Sequence, residues 1–113
     1  MNDTKMHNCI TECWKCRSHC QETFFNHCLV EGGQHVKAKH VKLMTDCIQM
    51  CQTAADFMTR NSGLHSFVCQ VCAEICESCA ESCENIGGIE MEQCAEICRS
   101  CAETCRGMAE IMI

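Results

Sequence analysis

Positions that would face a core recur along this chain in steps of three and four residues, and the rhythm breaks at three places. Gly32–Gly33, Asn61–Ser62–Gly63 and Gly87–Gly88 each combine a helix stop with a flexible connection. The four runs between them span roughly 4–30, 35–60, 64–86 and 89–112, each long enough for a substantial helix. An α-helix turns about 100° per residue, so alternating threes and fours hold side chains on one stripe. The fourth run carries Met91, Cys94, Cys98, Cys101, Cys105, Met108 and Met112 in an unbroken alternation. The third carries His65, Cys69, Cys72, Cys76, Cys79, Cys83 and Ile86, again unbroken. The second reads His40, Met44, Cys47, Cys51, Ala54 and Met58. The first reads Met6, Cys9, Cys13, Cys16, Cys20, Phe24 and His27, with a step of four where a three is due, and Cys28 falls at its edge.

These stripes are the inward positions of an all-α protein, an antiparallel up-down-up-down four-helix bundle filling 1–113 as a single domain. Leucine would normally line such a core. Here thiols, thioethers and imidazoles line it instead. Stacking the stripes gathers Met6, Met58, His65 and Met112 at one end and Cys16, Cys47, Cys76 and Cys101 in the middle. The other end gathers Phe24, His40, Cys83 and Cys94, with His27 and Met91 beyond. The outward positions carry Glu74, Glu77, Glu81, Glu96, Glu103 and Arg99, while Ala73, Ala80, Ala95 and Ala102 let helices approach.

Composition sharpens the picture. Hydrophobic residues make up 47% of 113, but 16 residues of the chain are cysteine. Tyrosine and proline are absent and tryptophan occurs once, which disfavours sheets and suits uninterrupted helices. The segment CAEICESCAESC (72–83) returns as CAEICRSCAETC (94–105), with ten of twelve letters identical. A net charge of −6 disfavours nucleic acid, whose binding rests on neutralising phosphates. Lys37, Lys39 and Lys42 read as a solvated helix face. No run approaches a membrane span, and MNDTKMHNCITEC shows no apolar export signal. The expectation is a cytoplasmic protein in a reducing compartment, where clustered cysteines point to metal or redox chemistry rather than to disulfides. No catalytic triad, phosphate loop or paired-carboxylate site occurs, so the chain reads as a non-enzyme.

Ligand softness selects the metal. Thiolate, thioether and imidazole without inward carboxylate favour a soft ion. Zinc wants separate tetrahedral sets, whereas Cu(I) accepts two or three sulfurs and lets each sulfur bridge to the next ion. A buried thiolate needs a counter-charge, so about one Cu(I) per cysteine keeps the core neutral, giving multiple ions per chain. Thiol redox chemistry and zinc or cadmium buffering of metallothionein type are the competing readings. Mid-helix CxxC pairs such as Cys13/Cys16 and Cys98/Cys101 carry no redox specificity of their own.

These residues resemble the copper storage proteins, in the cytosolic branch that lacks an export signal. The resemblance spans the whole chain and rests on CxxxC pairs: Cys9/Cys13, Cys16/Cys20, Cys47/Cys51, Cys72/Cys76, Cys79/Cys83, Cys94/Cys98 and Cys101/Cys105. Cys28 and Cys69 extend the same lining, and Phe24, Ala54, His40 and Met44 depart from it. The resemblance implies bundles filled with Cu(I) through one open end and assembled as homotetramers. Candidate metal ligands are thus all sixteen cysteines together with His40, Met44 and His65. His27 and Met91 stand undecided, while His7, His19 and His35 read as surface residues. Trp14 points outward, toward a subunit contact. Weak exchangeable ligands should guard the mouth from oxidants, and the His40 end gathers more ligand types than the His65 end.

Overall fold

Glycine lets the backbone cross to positive φ, and that is how two of the helices stop. Gly32 (φ 70°) donates its N–H to the Cys28 carbonyl, and Gly87 (φ 81°) donates to the Cys83 carbonyl, each at 3.0 Å. Asn61 turns the middle connection at φ 52°, a conformation asparagine tolerates better than most residues. Residues 2–109 are described by a computed structural model. Helix α1 (Asn2–Thr23) runs on through a π-helical turn (Phe24–Cys28) and a final turn (Leu29–Glu31). Helices α2 (Ala38–Thr59), α3 (His65–Ile86) and α4 (Ile89–Ala109) follow, with no strand among the described residues.

The helices pack in ring order, α1 against α2 and α4, and α3 against α2 and α4, in a body of 44 × 20 × 18 Å. This is the expected four-helix bundle. The α3–α4 pair packs most closely, and Ala73, Ala80, Ala95 and Ala102 are all buried there. Outside the seam, Arg99 grips Glu84 with two bonds of 2.6 and 2.9 Å, and Arg106 reaches Glu77 and Glu74. Ser100 donates to Glu12 at 2.8 Å, tying α4 to α1. The exposed pairs set helix orientation more than stability. No helix among the described residues is long and apolar enough to cross a membrane.

Two details of the sequence reading shift. The irregular step in the first stripe marks the π turn, whose i→i+5 bonding absorbs one extra residue. As a result Cys28 rotates fully inside and His27 moves to a partly exposed position. The second shift lies in α2. A 3-10 turn at Gly33–Val36 and the extended Lys37 occupy residues read as helix from 35, so α2 starts later. Its side chains therefore sit one turn further along: Cys51 groups with Cys16, Cys76 and Cys101, while of these three Cys47 touches only Cys16 and Cys76. By the same shift His40 stands level with Cys28 and Met91, and Met44 level with Cys83. Met112, placed at the His65 end by the stripe, lies outside the described residues.

Neutral thiols are apolar enough to form this core without metal. Circular dichroism of reduced, metal-free protein should therefore show high helix content that changes little on adding copper. A disordered metal-free chain would mean that the ion creates the fold.

Candidate metal centre

All sixteen cysteines are free and fully buried, including Cys28. Their sulfurs form a continuous file along the axis. Cys9 and Cys13 each lie 3.7 Å from Cys105, and Cys101 lies 3.8 Å from Cys13. Further along, Cys72 lies 3.9 Å from Cys51 and Cys51 3.6 Å from Cys76. Cys47 links Cys76 and Cys16 at 3.8 Å each, and Cys20 meets Cys98 at 3.5 Å and Cys94 at 3.6 Å. These separations are van der Waals contacts, well beyond a disulfide of about 2.05 Å.

Several sulfurs belong to more than one potential metal seat. Cys13, Cys72, Cys101 and Cys105 form one group, and Cys16, Cys51, Cys76 and Cys101 a second. Cys16, Cys20, Cys47 and Cys98 form a third, and Cys9, Cys69 and Cys105 a fourth. Within each, the sulfurs lie within 4.8 Å of one another. Cys16, Cys101 and Cys105 are shared between groups, so an ion in one seat shares a ligand with the next. Tetrahedral zinc would fit a single four-sulfur group. Repeated along the file, however, each Zn(II) on four thiolates leaves about two uncompensated negative charges in a dry core. One monovalent ion per thiolate leaves none.

Neighbouring sulfurs also share protons. Cys16 is held well below the ordinary thiol range by S–H groups of Cys101, then Cys20 and Cys47. Cys101 is lowered as well, first by Cys105 and then by Cys13. Cys20 and Cys98, whose strongest partner is Cys16, are pushed up, as are Cys51 and Cys105, whose strongest partner is Cys101. The shared sulfurs fall on both sides: Cys16 and Cys101 are lowered, as are the unshared Cys9, Cys47, Cys72 and Cys94, while Cys105 is raised.

The file changes character toward the Gly32 end. The Met44 sulfur lies 3.4 Å from Cys79 and 3.8 Å from Cys83. Beyond it, Cys28 Sγ lies 3.7 Å from His40 Nε2 and 3.8 Å from Met91 Sδ. His40 Nδ1 is held by the Ser82 hydroxyl at 2.9 Å, which leaves Nε2 facing the sulfurs. Burial lowers the His40 pKa, so the ring is neutral and able to ligate. Sequence reasoning left Met91 undecided and missed Ser82 altogether, because a serine at an intermediate helix position carries no signal of its bonding partner. At the opposite end His65 is buried with Nδ1 2.8 Å from the Ser62 carbonyl, and it belongs to none of the thiol groups. His7 is exposed, and His19, His27 and His35 are half-buried, His27 and His35 with rings edge to face. Trp14 is 46% exposed on the outside, and Lys37, Lys39 and Lys42 face solvent.

A helical bundle whose lumen carries a file of sixteen buried cysteine sulfurs defines a protein built to take up many soft metal ions. The family model for copper storage proteins matches residues 2–110, and the chain belongs to that family. Its fold is similar to that of a protein from Nitrosospira multiformis (48% identity, TM-score 0.90, 95% of this chain and 96% of that one). It is also similar to the Cu(I)-bound copper storage protein BsCsp3 (33% identity, TM-score 0.85, 93% and 98% covered). A third likeness is to a cytosolic copper storage protein from Streptomyces lividans (28% identity, TM-score 0.87, 97% and 96% covered). No curated protein matches the sequence.

Burial pushes the Cys28 thiol up to about 11, helped by its neighbours Cys94 and Cys79. Its folded pKa exceeds the unfolded value of 9.0, so the stability it contributes is complete below pH 9 and is lost as pH rises toward 11. The urea midpoint of metal-free protein should fall across that window. A Cys28→Ala variant should show a shallower fall, whatever its starting stability.

Proposed function

We propose that this chain stores Cu(I), holding the ions on cysteine thiolates inside its bundle. The observation that carries the reading is the uninterrupted file of buried sulfurs with ligands shared from seat to seat. The ligands are Cys9, Cys13, Cys16, Cys20, Cys28, Cys47, Cys51, Cys69, Cys72, Cys76, Cys79, Cys83, Cys94, Cys98, Cys101 and Cys105, with His40, Met44 and His65 at the ends. Each Cu(I) replaces a thiol proton, so a neutral S–H core becomes a neutral S–Cu core. Supporting the reading, the similar BsCsp3 is Cu(I)-bound and the Streptomyces lividans relative is a cytosolic copper storage protein. By the same likeness this protein works in the cytoplasm. It is not an enzyme: storage needs no bond-making group, and the buried thiols offer no exposed nucleophile. Homotetramer assembly would cover the apolar outer residues Trp14, Leu64, Phe67 and Val71. A thiol redox role is disfavoured because it needs an accessible, low-pKa thiol.

Titration of reduced protein with Cu(I) against a chelator should saturate on the order of one ion per thiolate, above about ten equivalents. Saturation at four or fewer equivalents, or tighter retention of Zn(II), would end the storage reading.

Copper enters, in this reading, at the His40 end. Ser82 lines a surface hollow with Lys39, Leu43, Ser78, Glu81 and Asn85, while its hydroxyl holds His40 from within. His40 is thus the ligand nearest that surface, and Cys28, Met91 and Met44 follow inward. A His40→Ala, Met44→Leu double variant should load several-fold more slowly in stopped-flow uptake and keep nearly all its capacity. Loading slowed instead by His65→Ala with Met58→Leu would reverse the polarity of the bundle.

A further inference from the structure

Two buried side-chain nitrogens among the described residues have no hydrogen-bond partner, Arg17 Nε and His65 Nε2. They differ in kind. Arg17 Nε carries a proton and belongs to a cation, so it cannot bind a metal ion. His65 Nε2 can, provided the ring proton sits on the other nitrogen.

The turn before α3 places that proton. The Ser62 carbonyl accepts the His65 backbone N–H at 3.2 Å and lies 2.8 Å from Nδ1. A carbonyl oxygen can only accept, so Nδ1 is the protonated nitrogen and Nε2 of the neutral ring carries a free lone pair. Such a lone pair, buried without a donor, costs free energy in the folded protein. In a histidine that ligates metal, this is the usual arrangement: one nitrogen bonded to a carbonyl, the other turned to the ion.

Position supplies the co-ligand. His65 opens the inward stripe of α3 and stands four residues before Cys69, the same one-turn spacing as the CxxxC pairs. Cys69 in turn belongs to the Cys9–Cys69–Cys105 group, the last seat of the file at this end. Met58 and Met108, both buried, add thioethers from α2 and α4.

We infer that His65 Nε2 and Cys69 Sγ form a terminal Cu(I) seat at the end of the bundle opposite His40, with the Ser62 carbonyl fixing the ligating tautomer. The inference deepens the storage reading and rests on it only for the identity of the ion. One thiolate and one neutral imidazole balance one monovalent cation, so the seat obeys the neutrality of the rest of the core. A neutral donor binds less tightly than a bridging thiolate, so this seat fills late and empties early.

The test is nitrogen-15 NMR of the histidine rings in the full reduced chain, before and after Cu(I) supplied from a chelator complex. Cu(I) is diamagnetic, so both states are visible. In metal-free protein the His65 ring should carry its proton on Nδ1, the less common tautomer in water. Near saturation the Nε2 resonance should move while Nδ1 keeps its proton, and His65→Phe should lose one equivalent of capacity. An Nε2 resonance unmoved at saturation would overturn the seat while leaving storage intact. If wild-type protein takes up only a few ions, storage fails, and the Nε2 resonance still decides the seat by itself.

Discussion

A dry core must stay electrically neutral, and everything else in this molecule follows from that constraint. Sixteen thiols share one lumen with no carboxylate and no lysine buried among the described residues. Ionising them together without counter-ions is prohibitive, because each thiolate would lose its water and face like charges 3.5 to 3.9 Å away. Protonated, they are small apolar groups and pack. Metal-loaded with a monovalent ion, they are neutral again. The bundle thus has two neutral fillings of nearly the same shape, and it can exchange one for the other without unfolding. A divalent ion on four thiolates offers no such equivalence.

Sharing of sulfurs is the second consequence of confinement. Four helices of this length cannot hold sixteen ligands as isolated sites without large gaps between them. The sulfurs instead touch their neighbours up and down the axis, and Cys16, Cys101 and Cys105 serve two seats each. Each ion bound lowers the cost of ionising the sulfur that the next ion needs, since a bridging thiolate already faces one positive charge. Loading should then spread from a filled seat to adjacent ones.

How much of this was legible in the sequence depended on local geometry. The stripes of α3 and, as far as Met108, of α4 read correctly, since both helices are regular and their glycine stop fell where the pattern broke. In α1 the pattern registered a fault at Phe24 but not its cause. Helical periodicity assumes one twist throughout, and the π turn unwinds the helix there, bringing Cys28 inside in place of His27. In α2 the stripe itself was right and its register along the axis was not. A 3-10 turn and an extended residue consume chain that reads as helix, and no residue between Gly32 and Ala38 forbids helix outright. The axial partners of His40 were therefore misjudged by one turn, and so was the neighbour of Cys101, which is Cys51, although Cys47 does touch Cys16 and Cys76 as read. Ser82 was invisible for a different reason: its role depends on a neighbour 42 residues away.

The two histidines on the stripes show why ends differ from middles in such a core. Along the file, every sulfur has sulfur on either side, and a proton can be shared among them. At an end the sharing stops, and a last thiolate would have a bridging neighbour on one side only. Replacing that last thiolate by imidazole removes a charge where the next counter-ion is missing. It also requires the ring to be held, because an unrestrained imidazole presents either nitrogen. The protein meets that requirement differently at each end. His40 is held by a hydroxyl, which can donate or accept and so permits the ring to change its proton. His65 is held by a carbonyl, which permits only one tautomer. An adaptable ring suits an end where ions arrive, and a locked one suits a terminal seat that offers the same nitrogen each time it fills.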